Sequence, residues 1–475
     1  MRPFLFLLVI GRLVAQEPAR FLPAGDCALC HTRIPDAGGS WTDQAGWVGP
    51  SHLWKNSMMA HAAQDPYWRA KVAFETALAP RESRAIEDKC LRCHAPVDQY
   101  PKRAANEQLA LSGMTALGRE GVTCTICHQI EAPGLGRAES FTGSFTLGTK
   151  DRLYGPFADP FTMPMLHHTG FTATEAAHIR QAALCGTCHT VITHPRGGQG
   201  EFVEQAPFLE WLASEYPRKG TTCQGCHMPA LASAQYIAHR PPGGAFPPTA
   251  PRSPFARHLF AGGNALVPAV LGNGEMQSRA RQQLDRALKL DLKLRREQDV
   301  AIVSVLVTNL TGHKLPTAFP SRRLWLHLVA KDSAGKVVFE TGAWDPAAGD
   351  IADGPDPVVF EAQYADANGR PTVSLLAAAR YRKDTRILPA GFRAGRLAEA
   401  GLHGFELGPV AVPANLELPR GSAIATFRVA SRGPLTFEAE ALFQTIQTSH
   451  QLPAFPIPAQ LRGPVSLARV ATALQ

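Results

Sequence analysis

The chain has 475 residues, long enough for two or three domains with cores of their own. Its 48 Lys and Arg against 40 Asp and Glu give a formal charge of +8, but no basic stripe with interleaved aromatics runs through it, which argues against a nucleic-acid surface. Charged residues make up only 19% of the sequence, and 41 Gly with 39 Pro predict many turns and little long helix.

The first residues, MRPFLFLLVIGRLVAQEP, combine a basic start, an apolar run and a small residue at Ala15. This is the pattern of a secretory signal peptide occupying residues 1–15. Arg12 keeps the apolar run shorter than a bilayer span requires, and no later stretch reaches that length. Export to the periplasm or cell exterior is therefore expected, with no membrane span once the signal is removed.

All ten cysteines fall into one pattern. CALCH at Cys27–His31, CLRCH at Cys90–His94, CTICH at Cys124–His128, CGTCH at Cys185–His189 and CQGCH at Cys223–His227 are five copies of CxxCH. The two thiols of each copy (Cys27 and Cys30, Cys90 and Cys93, Cys124 and Cys127, Cys185 and Cys188, Cys223 and Cys226) can both reach the vinyl groups of one porphyrin. The following His places an imidazole under the iron. Zinc half-sites or redox dithiols would not need a His directly after the second Cys. Five covalent c-type haems, each with its iron, are the cofactors predicted, and their propionates offset the basic balance of the chain. The first Cys of each motif is separated from the next by 63, 34, 61 and 38 residues, and REGVTCTICH matches RKGTTCQGCH. Both features describe a duplicated two-motif unit preceded by one extra motif. The short gaps predict that the Cys90 and Cys124 motifs, and the Cys185 and Cys223 motifs, lie side by side.

Between the motifs, Asp65 is a predicted N-cap with Pro66 at the first helical position. Thr172 and Glu175 form a capping-box pattern for a helix running into Cys185. Pro207 opens a helix whose Phe208, Trp211 and Leu212 share a core face. The Pro-rich stretch 241–254 reads as a linker, followed by a helix over 274–296. Beyond it the runs starting at Val300, Leu324, Lys336, Ala423 and Pro434 read as strands, which predicts an antiparallel β-sandwich.

Together with the five motifs, the segments WKNSMMAHAAQDPYWRAKV, CHMP, RHLFAGGN and TGHKLPTAFPSRRLWLHL resemble exported bacterial multihaem c-type cytochromes. The haem-bearing part is similar to the superfamily of hydroxylamine oxidoreductase and the tetrahaem cytochrome of nitrifiers. The resemblance implies either an electron carrier or an enzyme, depending on whether an iron keeps an open coordination position.

The fifth ligand of each iron is assigned to His31, His94, His128, His189 and His227, so the sixth must come from elsewhere. His258 precedes glycines that admit close approach to a flat ring, and His313 stands on a Gly-flanked turn after the first strand. His178 is placed to reach a neighbouring haem. Similar cytochromes carry a His where this chain has Met59, and the resemblance makes the Met59 thioether a candidate ligand, with His52 and His61 as rivals. His167, His168, His194, His239, His327, His403 and His450 are read as structural or surface residues. Arg322 or Arg323 is expected to pair with haem propionates.

The expected architecture is multidomain α+β, with no residues assigned to catalysis. A mostly α and irregular multihaem cytochrome c domain spans 16–240, a linker and connecting helix with His258 span 241–296, and a β-sandwich-like domain spans 297–475. The expected function is electron transfer between redox partner proteins. The alternative is a multihaem oxidoreductase acting on a small inorganic nitrogen or sulfur compound at one five-coordinate haem. No nucleic acid partner is expected.

Overall fold

The computed structural model describes residues 20–32, 42–43, 46–148, 151–196, 200–238 and 250–475. The predicted signal peptide, His239 and most of the Pro-rich linker lie outside these residues. Among the described residues no helix is long and apolar enough to cross a membrane.

The first half is a set of short helices joined by turns, and the CxxCH motifs sit on or at the ends of helices. They occupy Ala24–His31, the end of Ser83–His94, Cys124–Cys127, Ala182–Gly186 and Cys223–His227. The Pro66–Leu78 helix starts as predicted, with the Asp65 carboxylate accepting from the backbone N–H groups of Tyr67 and Trp68 at 2.9 and 3.2 Å. Pro207–Leu212 is also a helix, with Phe208 and Leu209 buried.

Two expected helices are corrected. Thr172–Glu175 is a strand paired in parallel with Arg152–Gly155, and a 3-10 turn, Ala177–Arg180, separates it from the helix at Cys185. Pairing with a distant strand outweighs the local capping pattern there. The helix expected over 274–296 stops at Leu284, and Leu288–Glu297 is a strand. Its leucines at 288, 290, 292 and 294 alternate with polar residues, the period of a half-buried strand.

That strand, β1 (Leu288–Glu297), pairs with β2 (Val300–Asn309) in antiparallel register, and β2 pairs in turn with Ser422–Ala430. Strand β3 (Arg323–Asp332) is central to a second sheet. It pairs with Val337–Thr341, Val359–Ala365 and Leu435–Gln444, the last carrying Val465–Leu474 at its other edge. The five sequence-predicted strands are all present. Val303, Val305 and Val307 from the first sheet share one apolar core with Leu324, Leu326, Leu328 and Phe437 from the second. The whole is α+β, and β2 ends in the turn that presents His313.

Candidate functional site

A single cavity of about 2030 Å³ runs through the helical half and reaches the β half. That is about twice the upper end of ordinary small-molecule pockets, roughly 300–1,000 Å³. Its walls include all ten cysteines and the five histidines that follow them, together with His258, His313 and Met59.

The tautomer of most of these imidazoles is fixed by the backbone. His31, His94, His128 and His227 point Nδ1 at the carbonyls of Ile237, Ala62, Tyr154 and Ala261, at 2.6, 2.8, 2.6 and 2.7 Å. A carbonyl only accepts, so Nδ1 carries the proton and Nε2 keeps its lone pair for a metal. His258 and His313 do the same toward Ala256 and Lys314, at 3.2 and 2.9 Å. Burial favours the neutral, metal-binding form of five rings: it pushes His94 and His189 down to about 4 and His258 to about 3, and it lowers His128 and His313.

Two pairs of rings face each other. His128 and His258 have centroids 6.3 Å apart with planes inclined by 16°, and His227 and His313 have centroids 6.4 Å apart at 18°. Two imidazoles on opposite faces of one iron are separated by two metal–nitrogen bonds of about 2.0 Å each, plus about 1.1 Å from nitrogen to ring centre on each side, or ~6.2 Å. The donor set and spacing of both pairs therefore fit a haem iron between them. His258 would complete the Cys124 site and His313 the Cys223 site.

The other candidates separate clearly. His178 is buried away from the cavity, its Nε2 bonded to the Ile130 carbonyl at 2.7 Å and its ring against Tyr154. That bond leaves the lone pair on Nδ1, but the ring does not line the cavity, so the structure does not bring His178 to the motif histidines. Met59 lines the cavity beside Val122, Ile126 and Cys127. His52 pairs with Glu275 at 3.3 Å, and His61 bonds the Ser57 carbonyl at 2.9 Å. His327 bonds Glu340, and His450 is buried against Phe319. His168 and His194 line the cavity, which the sequence alone did not suggest. Arg322 lines it too, whereas Arg323 is turned away and held by Asp350 and Gln444, so a propionate contact remains open only to Arg322.

The motifs meet in an order that sequence spacing does not give. The thiols of Cys27 and Cys124, of Cys93 and Cys188, and of Cys185 and Cys223 lie near enough to shift one another's pKa. Cys127 also feels the charge of Cys188. The Cys185 motif is thus adjacent to the Cys90, Cys124 and Cys223 motifs, and the Cys27 motif joins through Cys124. The Cys185–Cys223 neighbours were expected. The thiols of the Cys90 motif neighbour Cys188 and those of the Cys124 motif neighbour Cys27 and Cys188, and among the described residues no thiol coupling joins the Cys90 and Cys124 motifs directly.

Sequence reasoning also missed a buried charge cluster behind His313. Lys314 Nζ bonds Asp384 at 2.5 Å, and Arg386 reaches Asp384 at 2.7 Å and Glu210 at 3.1 Å. Glu210 Oε2 accepts from the Lys314 backbone N–H at 3.1 Å. Burial alone would raise the Asp384 carboxyl, but Arg386 and then Lys314 outweigh it and hold it below the usual carboxylate range. Asn309 ties the same turn together: its Nδ2 donates to the His313 and Ile387 carbonyls at 2.9 and 3.0 Å, and its Oδ1 accepts from the Thr311 N–H at 2.8 Å. A Glu inside the apolar run APFLEWLA was the available signal for the cluster.

No family model and no curated protein matches the chain. A solved structure does: the penta-heme cytochrome c552 from Thermochromatium tepidum superposes over 95% of this chain and 99% of its own length, with 21% sequence identity and a TM-score of 0.61. The chain therefore shares its fold with a multihaem cytochrome c.

Proposed function

We propose that this protein is a pentahaem c-type cytochrome that passes electrons between redox partner proteins. The observation that carries the reading is the two pairs of facing imidazoles, His128 with His258 and His227 with His313, at 6.3 and 6.4 Å within a cavity that all five CxxCH motifs line. Iron supplies the one-electron chemistry, and the chain supplies what tunes it: axial nitrogens, burial, and backbone carbonyls that fix each ring. The thiol contacts support a branched path in which the Cys185 haem joins the Cys90, Cys124 and Cys223 haems. Met59 is a ligand candidate with a thioether, which raises potential relative to a second His. Export to the periplasm or cell exterior, a haem domain over 16–240 and a β-sandwich domain over 297–475 belong to the same reading. So does kinship with the hydroxylamine oxidoreductase superfamily.

A second reading is favoured by one observation. Among the described residues neither His94 nor His189 faces another imidazole, and His94 is instead stacked on Trp68 at 4.2 Å. An open position at the Cys90 or Cys185 haem would make the protein an oxidoreductase for a small nitrogen or sulfur compound. Two measurements decide between these readings. Mass spectrometry of the denatured holoprotein is expected to show five haem increments; a smaller number removes a motif from the set. Low-temperature EPR of the oxidised protein is expected to show only low-spin haems, unchanged by cyanide, nitrite or hydroxylamine. A high-spin signal that shifts with one of them selects the enzyme.

A further inference from the structure

Glu204 is 3% exposed, yet it lines the haem cavity on the strand Phe202–Gln205. Its carboxylate has one hydrogen bond, from Gln205 Nε2 at 3.0 Å, and among the described residues no ion pair. Two lysines stand near it, but both are used elsewhere. Lys71 Nζ bonds Glu75 at 2.8 Å and the Val373 carbonyl at 2.6 Å, and Lys89 Nζ bonds the Ile192 carbonyl at 2.9 Å. Glu75 in turn accepts from the Ser374 hydroxyl and the Leu375 N–H, both at 2.7 Å. Cys90, on the same helix as Lys89, lines this end of the cavity and feels the charge of Glu204.

We propose that Glu204 is a redox-linked proton-binding site for the haem attached at Cys90 and Cys93. It takes up one proton when that haem gains an electron and releases it on oxidation. The inference rests on the reading that the Cys90 motif carries haem. The electron comes from the neighbouring haem at Cys185 and Cys188, whose Cys188 thiol lies near enough to that of Cys93 to shift its pKa. The proton comes from solvent and forms one O–H bond on the carboxylate. No other bond changes: the iron goes from ferric to ferrous, and the added negative charge is offset by the bound proton.

The charges around Glu204 suit this role. Burial is the largest influence and, with Glu75 adding to it, pushes the carboxyl up to about 7; Gln205, Lys89 and Lys71 pull the other way. Lys71 and Glu75 face it from the helix Pro66–Leu78, and Lys89 and Cys90 from Ser83–His94. Tyr364 approaches from Val359–Ala365, its hydroxyl donating to the Glu204 backbone carbonyl at 2.5 Å. Burial holds Tyr364 protonated, and it lowers the pKa of both lysines toward neutrality, so Lys71 and Lys89 are the rival proton sites that the Glu204 substitution separates. Sign follows directly: electron gain raises the proton affinity of a nearby carboxylate, so the potential of that haem falls as pH rises through the titration of Glu204.

The test is a potentiometric titration of the holoprotein from about pH 5 to 9, a range centred on neutrality, with redox-difference infrared spectra. In the native protein one midpoint is expected to fall with pH, approaching about 59 mV per unit, the value of a tenfold change for a one-electron couple. A carboxylic-acid C=O band should appear on reduction. Glu204→Gln should flatten that midpoint and remove the band, while haem mass remains at five increments. A slope and band that persist in Glu204→Gln assign the proton to another group and overturn the proposal. Lys89→Met gives a second arm that keeps the carboxyl: it should move the sloped region to higher pH, and an unmoved region also overturns it. A haem count below five would instead indicate failure of the haem reading itself.

Discussion

His313 is held from two directions: Lys314 is anchored to Asp384 and Glu210, and Asn309 grips the His313 carbonyl. His313→Ala is expected to leave five haems attached and convert the Cys223 haem from low-spin to high-spin or water-ligated, read by EPR. His258→Ala should do the same at the Cys124 haem. The substitution His313→Met should keep its haem low-spin if the sulfur reaches, and raise the potential. Lys314→Ala leaves Asp384 and Arg386 buried with one cation fewer, which costs about 3–5 kcal/mol by chemical denaturation. Acid acts on the same cluster. The Asp384 carboxyl is depressed in the folded protein, so its stabilisation is fully present above about pH 4, the unfolded value. It is lost as pH falls below that toward the folded value. Unfolding midpoints should therefore drop in this window, and Asp384→Asn, destabilised at neutral pH, should show a smaller drop.

At the level of elements, what could be read from sequence was whatever rests on local chemistry. Five CxxCH motifs, the Asp65 cap and the β-branched runs at Val300 and Ala423 each carry their own signal. The misread segments are those whose partner is distant. Thr172–Glu175 becomes a strand because Arg152–Gly155 lies beside it, and His178 falls in a 3-10 turn instead of the expected helix. Leu288–Glu297 alternates visibly, but leucine and lysine are also good helix formers and follow a real helix without a break. His258 and His313 were legible as candidates from their glycines. Their partners were not, because which imidazole faces which depends on folding between segments more than 80 residues apart. The turn from Asn309 to His313 depends on one side chain for several bonds, so Asn309→Ala should lower stability by about 1–3 kcal/mol. It should also broaden the low-spin EPR signal of the Cys223 haem, while that of the Cys124 haem stays sharp.

Across the whole molecule, the β half meets the haem-bearing half along a broad front. Tyr67 donates to the His450 carbonyl, Lys71 to Val373, Tyr364 to Glu204 and Tyr381 to Val203. Phe208 and Leu209 share an apolar cluster with Leu388, Phe392 and Leu397. Sequence reasoning had one axial His joining the two halves; the contacts show buried polar bonds and a common core as well. The holoprotein is expected to unfold in a single calorimetric transition, with loss of low-spin absorbance at the same temperature. Two separated transitions would mean that the halves are independent.

The thiol contacts between motifs have a consequence for how the chain is made. Each thiol in the pairs Cys27 with Cys124, Cys93 with Cys188 and Cys185 with Cys223 belongs to a different haem from its neighbour. A chain that closed before receiving its porphyrins would hold these reduced thiols near one another, where an oxidant can join them. One wrong bond would disable two attachment sites together. Attachment while the thiols are still reduced avoids that outcome. Apoprotein folded under oxidising conditions should yield Cys27–Cys124 and Cys185–Cys223 cross-linked peptides and refuse haem, whereas apoprotein kept reduced should accept it.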